Sequence, residues 1–87
     1  MQTEQTLIDL GFKRHPKWDT ETKNHIGKAT DVTPHYKMIG PKAVWRAKPE
    51  VNNGIPYVIM GMVVSESGLV DRWRDCCSEG SVERKIK

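Results

Sequence analysis

The sequence predicts a small α+β fold, with an N-terminal helix, an antiparallel sheet of about three strands and a C-terminal helix packed on the sheet. Three observations support this. A short apolar stripe lies near the N-terminus, a continuous apolar run spans 57–64, and apolar residues recur at helical spacing over 69–77. A chain of 87 residues has material for one hydrophobic core, so we expect 1–87 to form a single domain.

Residues 3–10 have the signals of a short helix. Thr3 can cap its first turn, and the charge of Glu4 suits the positive end of the helix dipole. Gly11 can adopt the left-handed conformation that ends a helix, with Phe12 folding back on the last turn as in a Schellman motif. The apolar stripe consists of Leu7, Ile8 and Leu10.

The segment 13–35 has no apolar period and is interrupted by Pro16, Gly27 and Pro34. We expect a long basic loop with at most a short strand or turn. Because loops of this length in small domains are often functional, this segment is the first place to look for a binding surface.

From residue 36 onward the pattern favours strands. A first strand is expected at 36–39 and a weakly alternating one at 43–47, followed by a turn segment at 49–54 in which Asn53-Gly54 is the strongest signal. The stretch 56–64 is apolar at both alternating sets of positions, so it predicts a central strand covered on both faces.

Gly61, within the apolar stretch 56–64, indicates a bulge or a close approach of another segment.

Two interpretations fit residues 69–77. The preferred one is an amphipathic helix capped by Ser67, with Leu69 and Trp73 covering one face of the sheet. The alternative is a tight turn at 66–68 that leads into another antiparallel strand. The polar stretch 79–87 is expected to fray.

The N-terminal residues lack the basic and apolar regions of a secretory signal, and the longest apolar run is too short to cross a bilayer. The two cysteines, Cys76 and Cys77, are adjacent, and a disulfide between neighbours is strained because their Cα atoms lie about 3.8 Å apart. We therefore expect reduced thiols and a cytoplasmic protein.

Charge is distributed unevenly. The chain has a formal net charge of +3, yet nine of its fourteen Lys and Arg residues fall in 11–48, against three Asp and Glu residues. All three histidines and several aromatic residues lie in this basic segment. Such a mixture suits nucleic acid or an acidic protein surface. The alternative is an ordinary solvated surface with the Trp side chains in the core.

No catalytic or cofactor-binding pattern is present. The spacing of His15, His25, His35 and the Cys76–Cys77 pair matches no zinc motif, and phosphate-binding and dinucleotide-binding glycine motifs are missing. Asp71 and Asp75 alternate with arginines, as on an exposed, salt-bridged surface. The sequence predicts no metal, no cofactor and no enzymatic activity.

The sequence therefore leads to two hypotheses. The first is a non-enzymatic protein-binding module, of the size of the inhibitors encoded by phages and mobile elements (anti-CRISPR or anti-restriction proteins), which occupies a functional surface of a nucleic-acid-processing partner. The alternative is a protein that binds nucleic acid directly through 11–48. No membrane partner is expected, and a homodimer is considered only because it is the commonest assembly. The candidate contact residues are Lys13, Arg14, Lys17, Trp18, Lys23, Tyr36, Trp45 and Arg46.

Overall fold

A computed structural model describes all 87 residues and shows a five-stranded antiparallel sheet with two short helices and a separate hairpin. The elements are α1 (Glu4–Asp9), β1 (Lys13–Arg14), a 3-10 turn (Pro16–Trp18), β2 (Thr20–Lys23), β3 (Ala29–Thr33), β4 (Tyr36–Ile39), β5 (Val44–Asn52), β6 (Ile55–Met62), β7 (Arg74–Cys76) and α2 (Ser81–Ile86). The sheet order is β1-β4-β5-β6-β7, and β2 pairs with β3. The α+β class is confirmed, but the sheet has five strands and not about three.

Helix α1 begins and ends as the sequence predicts. The Thr6 hydroxyl accepts a hydrogen bond from the backbone N–H of Thr3 (3.1 Å), which satisfies one of the free donors at the helix start. At the other end Gly11 has φ +99°. The Gly11 amide donates to the Ile8 carbonyl and the Phe12 amide to the Leu7 carbonyl, the two bonds of a Schellman motif.

The prediction of a long loop at 13–35 is wrong. This segment holds β1, the 3-10 turn and the β2–β3 hairpin, in which Thr20 pairs with Thr33. Every residue of β2 and nearly every residue of β3 is exposed. A hairpin with no buried face has no apolar alternation, so the sequence pattern gave no strand signal here.

The turn between β5 and β6 is at Asn53-Gly54, as predicted, but the turn segment begins later in the chain than predicted. Both residues have positive φ, 51° and 77°, as a two-residue type I′ turn requires. The predicted turn segment 49–54 is wrong in its first half, because β5 continues through Pro49. Strand β4 pairs only as far as Ala47, so β5 has one neighbour at Pro49, where a missing N–H is tolerated.

The sheet has one face covered by the helices and one face that they leave open. Ala47, Met60 and Val58 share the covered side by register and pack with α1 and α2, and we call this side the helix face. The remaining buried apolar residues of this core are Leu7, Phe12, Tyr36, Cys76, Val82 and Ile86. We call the other side the open face. The prediction that β6 is covered on both faces is wrong, because Tyr57 and Ile59 on the open face are only partly buried.

For residues 69–77 the preferred helix is wrong, and the alternative of a turn followed by a strand is correct. Val70 pairs with Val63, and β7 then pairs with β6. Three residues, 71–73, lie opposite two on β6, so the chain has a β-bulge here. Leu69 is exposed and does not cover the sheet.

Gly61 explains why this bulged segment can lie so close to β6. A Cβ atom at position 61 would overlap the side chain of Val70 and the carbonyl group of Arg72. The close approach predicted at this glycine is therefore confirmed.

The expectation that 79–87 frays is also wrong. Residues Ser81–Ile86 form α2, and both Val82 and Ile86 are buried in the core, one turn apart on the same side of the helix. The C-terminal helix thus exists, but it lies later in the chain than predicted. Neither helix is long and apolar enough to cross a membrane.

Candidate interaction surface

Arg46 lies at the centre of the open face and joins three segments of the chain. Its guanidinium donates to Nδ1 of His35 (2.9 Å), the Gly68 carbonyl (2.7 Å) and the Trp18 carbonyl (2.9 Å). None of these acceptors is a carboxylate. Burial lowers the pKa of Arg46, although an arginine remains charged at any physiological pH. A full positive charge is thus held in place without being neutralised.

Two tryptophans contact the same guanidinium. Its central carbon lies 5.0 Å from the ring centroid of Trp18 and 5.6 Å from that of Trp73, within the range of cation–π attraction. Trp18 is enclosed: it is 7% exposed, stacks on His15 and leaves no room for a side chain at Gly68. Trp73 is 40% exposed. Trp73 is therefore the aromatic residue that a partner can reach.

His35 is the buried side chain that accepts a hydrogen bond from Arg46. The imidazole is 1% exposed, and its Nδ1 accepts from Arg46, so the proton of the neutral ring is on Nε2, 3.3 Å from the Thr20 hydroxyl. Burial, followed by the charges of Arg46 and Lys48, lowers the pKa of His35 to about 4. The side chain is thus neutral at pH 7.

Lysines extend the positive charge to both sides of Arg46. Lys37 Nζ lies 5.8 Å from the Trp18 centroid, and Lys48 Nζ lies 5.2 Å from the Trp73 centroid. Lys13 pairs with Lys37 across β1 and β4 and therefore faces the same side. We define the cationic face as Lys13, Lys37, Arg46, Lys48 and Trp73.

Two carboxylates share the side of the sheet that carries the cationic face. Glu50 lies 3.6 Å from the Lys48 ammonium, and Asp75 is opposite Ile59 by register. A third carboxylate, Glu66, lines the adjoining groove beside Trp18 and Lys37. Four cations against three carboxylates leave this side positive.

Apolar side chains adjoin the cationic face. Ile39 and Val64 are exposed, and a shallow groove of about 420 Å³ runs past Trp18 and Lys37, lined by Val44, Val63 and Val64. The surface therefore offers both positive charge and area that gains from leaving water.

The structure brings only part of the sequence-predicted contact set together. Trp18 and Arg46 contact each other, and Lys13 shares their side of the sheet. Lys17 lies exposed in the 3-10 turn, and Lys23 is at the exposed end of β2.

Arg14 is already paired with a carboxylate of its own chain. Its two terminal nitrogens donate to the two carboxylate oxygens of Asp19, each at 2.8 Å. This hydrogen bonding lowers the pKa of Asp19 to about 2.

Tyr36 and Trp45 do not belong to the cationic face. Tyr36 is 1% exposed and its hydroxyl donates to the Glu4 carboxylate; burial first, and then Glu4, raise its pKa to about 12. Trp45 lies on the helix face beside Met60 and Met62. Trp45 and Arg46 cannot share one face of the sheet, because neighbouring residues on a strand point to opposite faces.

Sequence reasoning left Trp73, Lys37, Lys48 and His35 out of the contact set. The signal was present in the spacing: His35 and Lys37 are two residues apart, as are Arg46 and Lys48, so each pair shares one face of a strand. Trp73 was missed because 69–77 was interpreted as a helix on the covered side.

The titratable groups form no metal centre, since no group of three or more His, Cys, Asp or Glu side chains is placed to hold an ion. Both cysteines are free. Cys76 is buried on the helix face, and burial raises the pKa of its thiol, which keeps it protonated and unreactive.

Compared with known proteins, the chain matches no family model, no curated sequence and no solved structure.

Proposed function

We propose that this protein is a non-enzymatic protein-binding module whose cationic face contacts an acidic patch of a protein partner. The observation that carries the proposal is Trp73, which is exposed on the open face and held by the cations of Arg46 and Lys48. Tryptophan and arginine are the residues most often found at the energetic centre of protein interfaces.

The face is arranged before any partner arrives. Arg46 is fixed by three hydrogen bonds, so binding costs little of its side-chain entropy. Its charge faces no carboxylate within the chain, and a partner carboxylate can supply one. Ile39 and Val64 add apolar area, which a protein partner can cover and a phosphate backbone cannot use.

If the protein inhibits a nucleic-acid-processing partner, the charge of the cationic face restricts which region of that partner it can cover. Channels that bind nucleic acid are themselves basic. The cationic face does not complement such a channel, so an inhibitor of this kind would act by covering an acidic region of its target.

Direct nucleic-acid binding remains the second candidate, for a specific reason. Lys13, Lys37 and Lys48 surround an accessible indole, and cations beside an aromatic ring are what a single-stranded nucleic acid requires. The two candidates differ in salt dependence, because each neutralised phosphate releases counterions.

The test is an affinity capture from lysate with four baits, with and without nuclease, at roughly 50 and 200 mM salt. The baits are the wild type, Trp73→Ala, the double variant Lys37→Glu/Lys48→Glu, and the control Lys23→Glu/Lys28→Glu. The control makes the same charge change in the exposed hairpin. We expect one protein to be retained by the wild type and the control, with or without nuclease, and lost with the other two baits.

Two results would reject the proposed function. Retention that nuclease abolishes, and that falls by orders of magnitude between the two salt concentrations, would replace it with direct nucleic-acid binding. Retention that survives both Trp73→Ala and the Lys37/Lys48 reversal would show that the cationic face is not the contact.

A further inference from the structure

A second basic site lies on the opposite side of the sheet, away from the cationic face. It is a cleft of about 340 Å³ between α2 and the bulged segment that precedes β7. The residues that line it and matter to the argument are Trp45, Met60, Met62, Arg72, Arg74 and Lys85. Its volume is within the range of small-ligand sites.

The β-bulge at 71–73 determines which side chains line the cleft. Arg74 pairs with Met60 and therefore points to the helix face. By strand alternation from Arg74, Trp73 then faces the open side and Arg72 lines the cleft beside Arg74. Two arginines, Arg72 within the bulge and Arg74 directly after it, thus border the same cleft.

The positive charge of the cleft is not compensated by ion pairs. The four ion pairs of the chain join other residues, so Arg72, Arg74 and Lys85 have no carboxylate within 4.0 Å. The lining contains one acidic residue, Asp71. Three cations, from the bulged segment, β7 and α2, therefore meet one carboxylate around a single cleft.

The rest of the lining is apolar. Met60 is fully buried, Trp45 is partly buried and Met62 is exposed at the rim. A planar ring can contact an indole and thioether side chains, which adapt to its shape. Arginine forks bind the oxygens of phosphate in pairs, which gives geometric selectivity as well as charge.

We propose that this cleft binds a small phosphate-bearing molecule with a planar apolar portion. The phosphate is held between Arg72 and Arg74 with Lys85 close by, and the planar portion lies against Trp45 and Met62. The site is independent of the proposed function, because its residues and those of the cationic face lie on opposite sides of the sheet.

The test is an NMR titration of the full chain with phenyl phosphate and with inorganic phosphate, followed through the indole N–H signals of the three tryptophans. Only Trp45 lines the cleft, so its signal reports the cleft, whereas a shift of Trp18 or Trp73 reports binding of the probe at the cationic face. We expect phenyl phosphate to shift the Trp45 signal saturably, with a Kd on the order of 1 mM or tighter, and inorganic phosphate to bind at least several-fold more weakly.

Variants of the full chain locate the site. Arg72→Gln and Arg74→Gln change exposed side chains, and we expect each to weaken phenyl phosphate binding about tenfold. The control Lys28→Gln, which removes one positive charge in the distant hairpin, should bind as the wild type does. The amide spectrum recorded in the same experiment shows whether each variant is folded.

Three results would overturn the inference. A Trp45 signal that does not move up to about 10 mM phenyl phosphate would mean that the cleft has no such ligand. If Lys28→Gln weakened phenyl phosphate binding as much as the cleft variants do, the loss of affinity would come from net charge and not from the cleft. Equal affinity for the two probes would remove the planar portion from the proposal.

Discussion

Arg46 is held by several hydrogen bonds within the chain, yet its positive charge is not neutralised and can still attract a partner. A carboxylate in the place of His35 would have held the guanidinium more strongly and cancelled its charge. A neutral imidazole holds the same Nε–H at 2.9 Å and leaves the charge intact. Because the pKa of His35 is low, the imidazole stays neutral at pH 7 and can accept this hydrogen bond without cancelling the charge of Arg46.

We expect the stability of the protein to fall between about pH 6.5 and pH 4 because of His35. Its pKa is about 4 in the folded chain and 6.5 in the unfolded chain, so only the unfolded chain takes up a proton in this window. The stabilisation is complete above pH 6.5 and lost as the pH falls towards 4. Its size is on the order of 3 kcal/mol in the free energy of unfolding.

Urea unfolding at pH 7 and pH 4 measures this effect when the wild type is compared with His35→Asn. Asparagine can accept from Arg46 through its side-chain oxygen but does not titrate, so the variant should lose less stability on acidification. The control His25→Asn changes an exposed histidine and should keep the full wild-type decrease. A variant as acid-sensitive as the wild type would assign the effect to other groups.

At the scale of the elements, the sequence predicted those with a strong local signal. The Gly11 terminator and the Asn53-Gly54 turn depend on positive φ values that few residues adopt, and the helix start at Thr3 depends on a local capping hydrogen bond; all three are where the sequence placed them. Strand β4 has the same bounds, 36–39, as the first strand that the sequence predicts.

The failures have three physical causes. The hairpin β2–β3 buries no face, so apolar and polar residues do not alternate along its strands. The 69–77 stretch imitates a helical period because a bulge shifts the alternation of a strand by one residue. Helix α2 has only Val82 and Ile86 as apolar contacts among charged residues, so a tertiary contact, and not local propensity, explains why it forms.

The predicted set of contact residues was affected most by these errors in the predicted elements. Trp18 and Arg46 were identified from composition, but which residues accompany them depends on strand register. Register also separates Trp45 from Arg46. Trp73 lies on the open face because Arg74 pairs with Met60, and this register, with the bulge before it, cannot be read from the sequence.

Helix α2 should prove necessary for the fold despite its polar composition. Ile86→Ala removes a buried side chain that packs in the core, and we expect a loss of about 2–4 kcal/mol in the free energy of unfolding. The control Val64→Ala shortens an exposed aliphatic side chain and should change stability by less than about 0.5 kcal/mol. Urea unfolding followed by far-UV circular dichroism measures both. Equal effects would mean that the end of the chain frays after all.

At the scale of the whole molecule, the hydrophobic core lies on one side of a single sheet, and Trp18 is the one large apolar side chain buried on the open face. Both helices lie on the side of the core, and a buried side chain connects them: Gln2, which precedes α1, donates through Nε2 to the carbonyl of Ser78, which precedes α2 (2.8 Å). Because the open face has no helical layer, its order depends on Arg46 and its acceptors. The molecule thus separates a side that holds the fold together from a side that is free to bind.

This arrangement makes Gln2 a test of whether the two helices depend on each other. Gln2→Ala removes the buried hydrogen bond between the segments before α1 and α2, and we expect it to lower the free energy of unfolding by about 1–2 kcal/mol. The matched control is Gln5→Ala, which removes only an exposed bond to Asp9 within α1 and should cost less than about 0.5 kcal/mol. Urea unfolding measured by tryptophan fluorescence and by far-UV circular dichroism should give coincident transitions for both variants, since a single core holds both helices. Separate transitions for Gln2→Ala would show that α2 melts on its own and that the sheet with α1 is the independent unit.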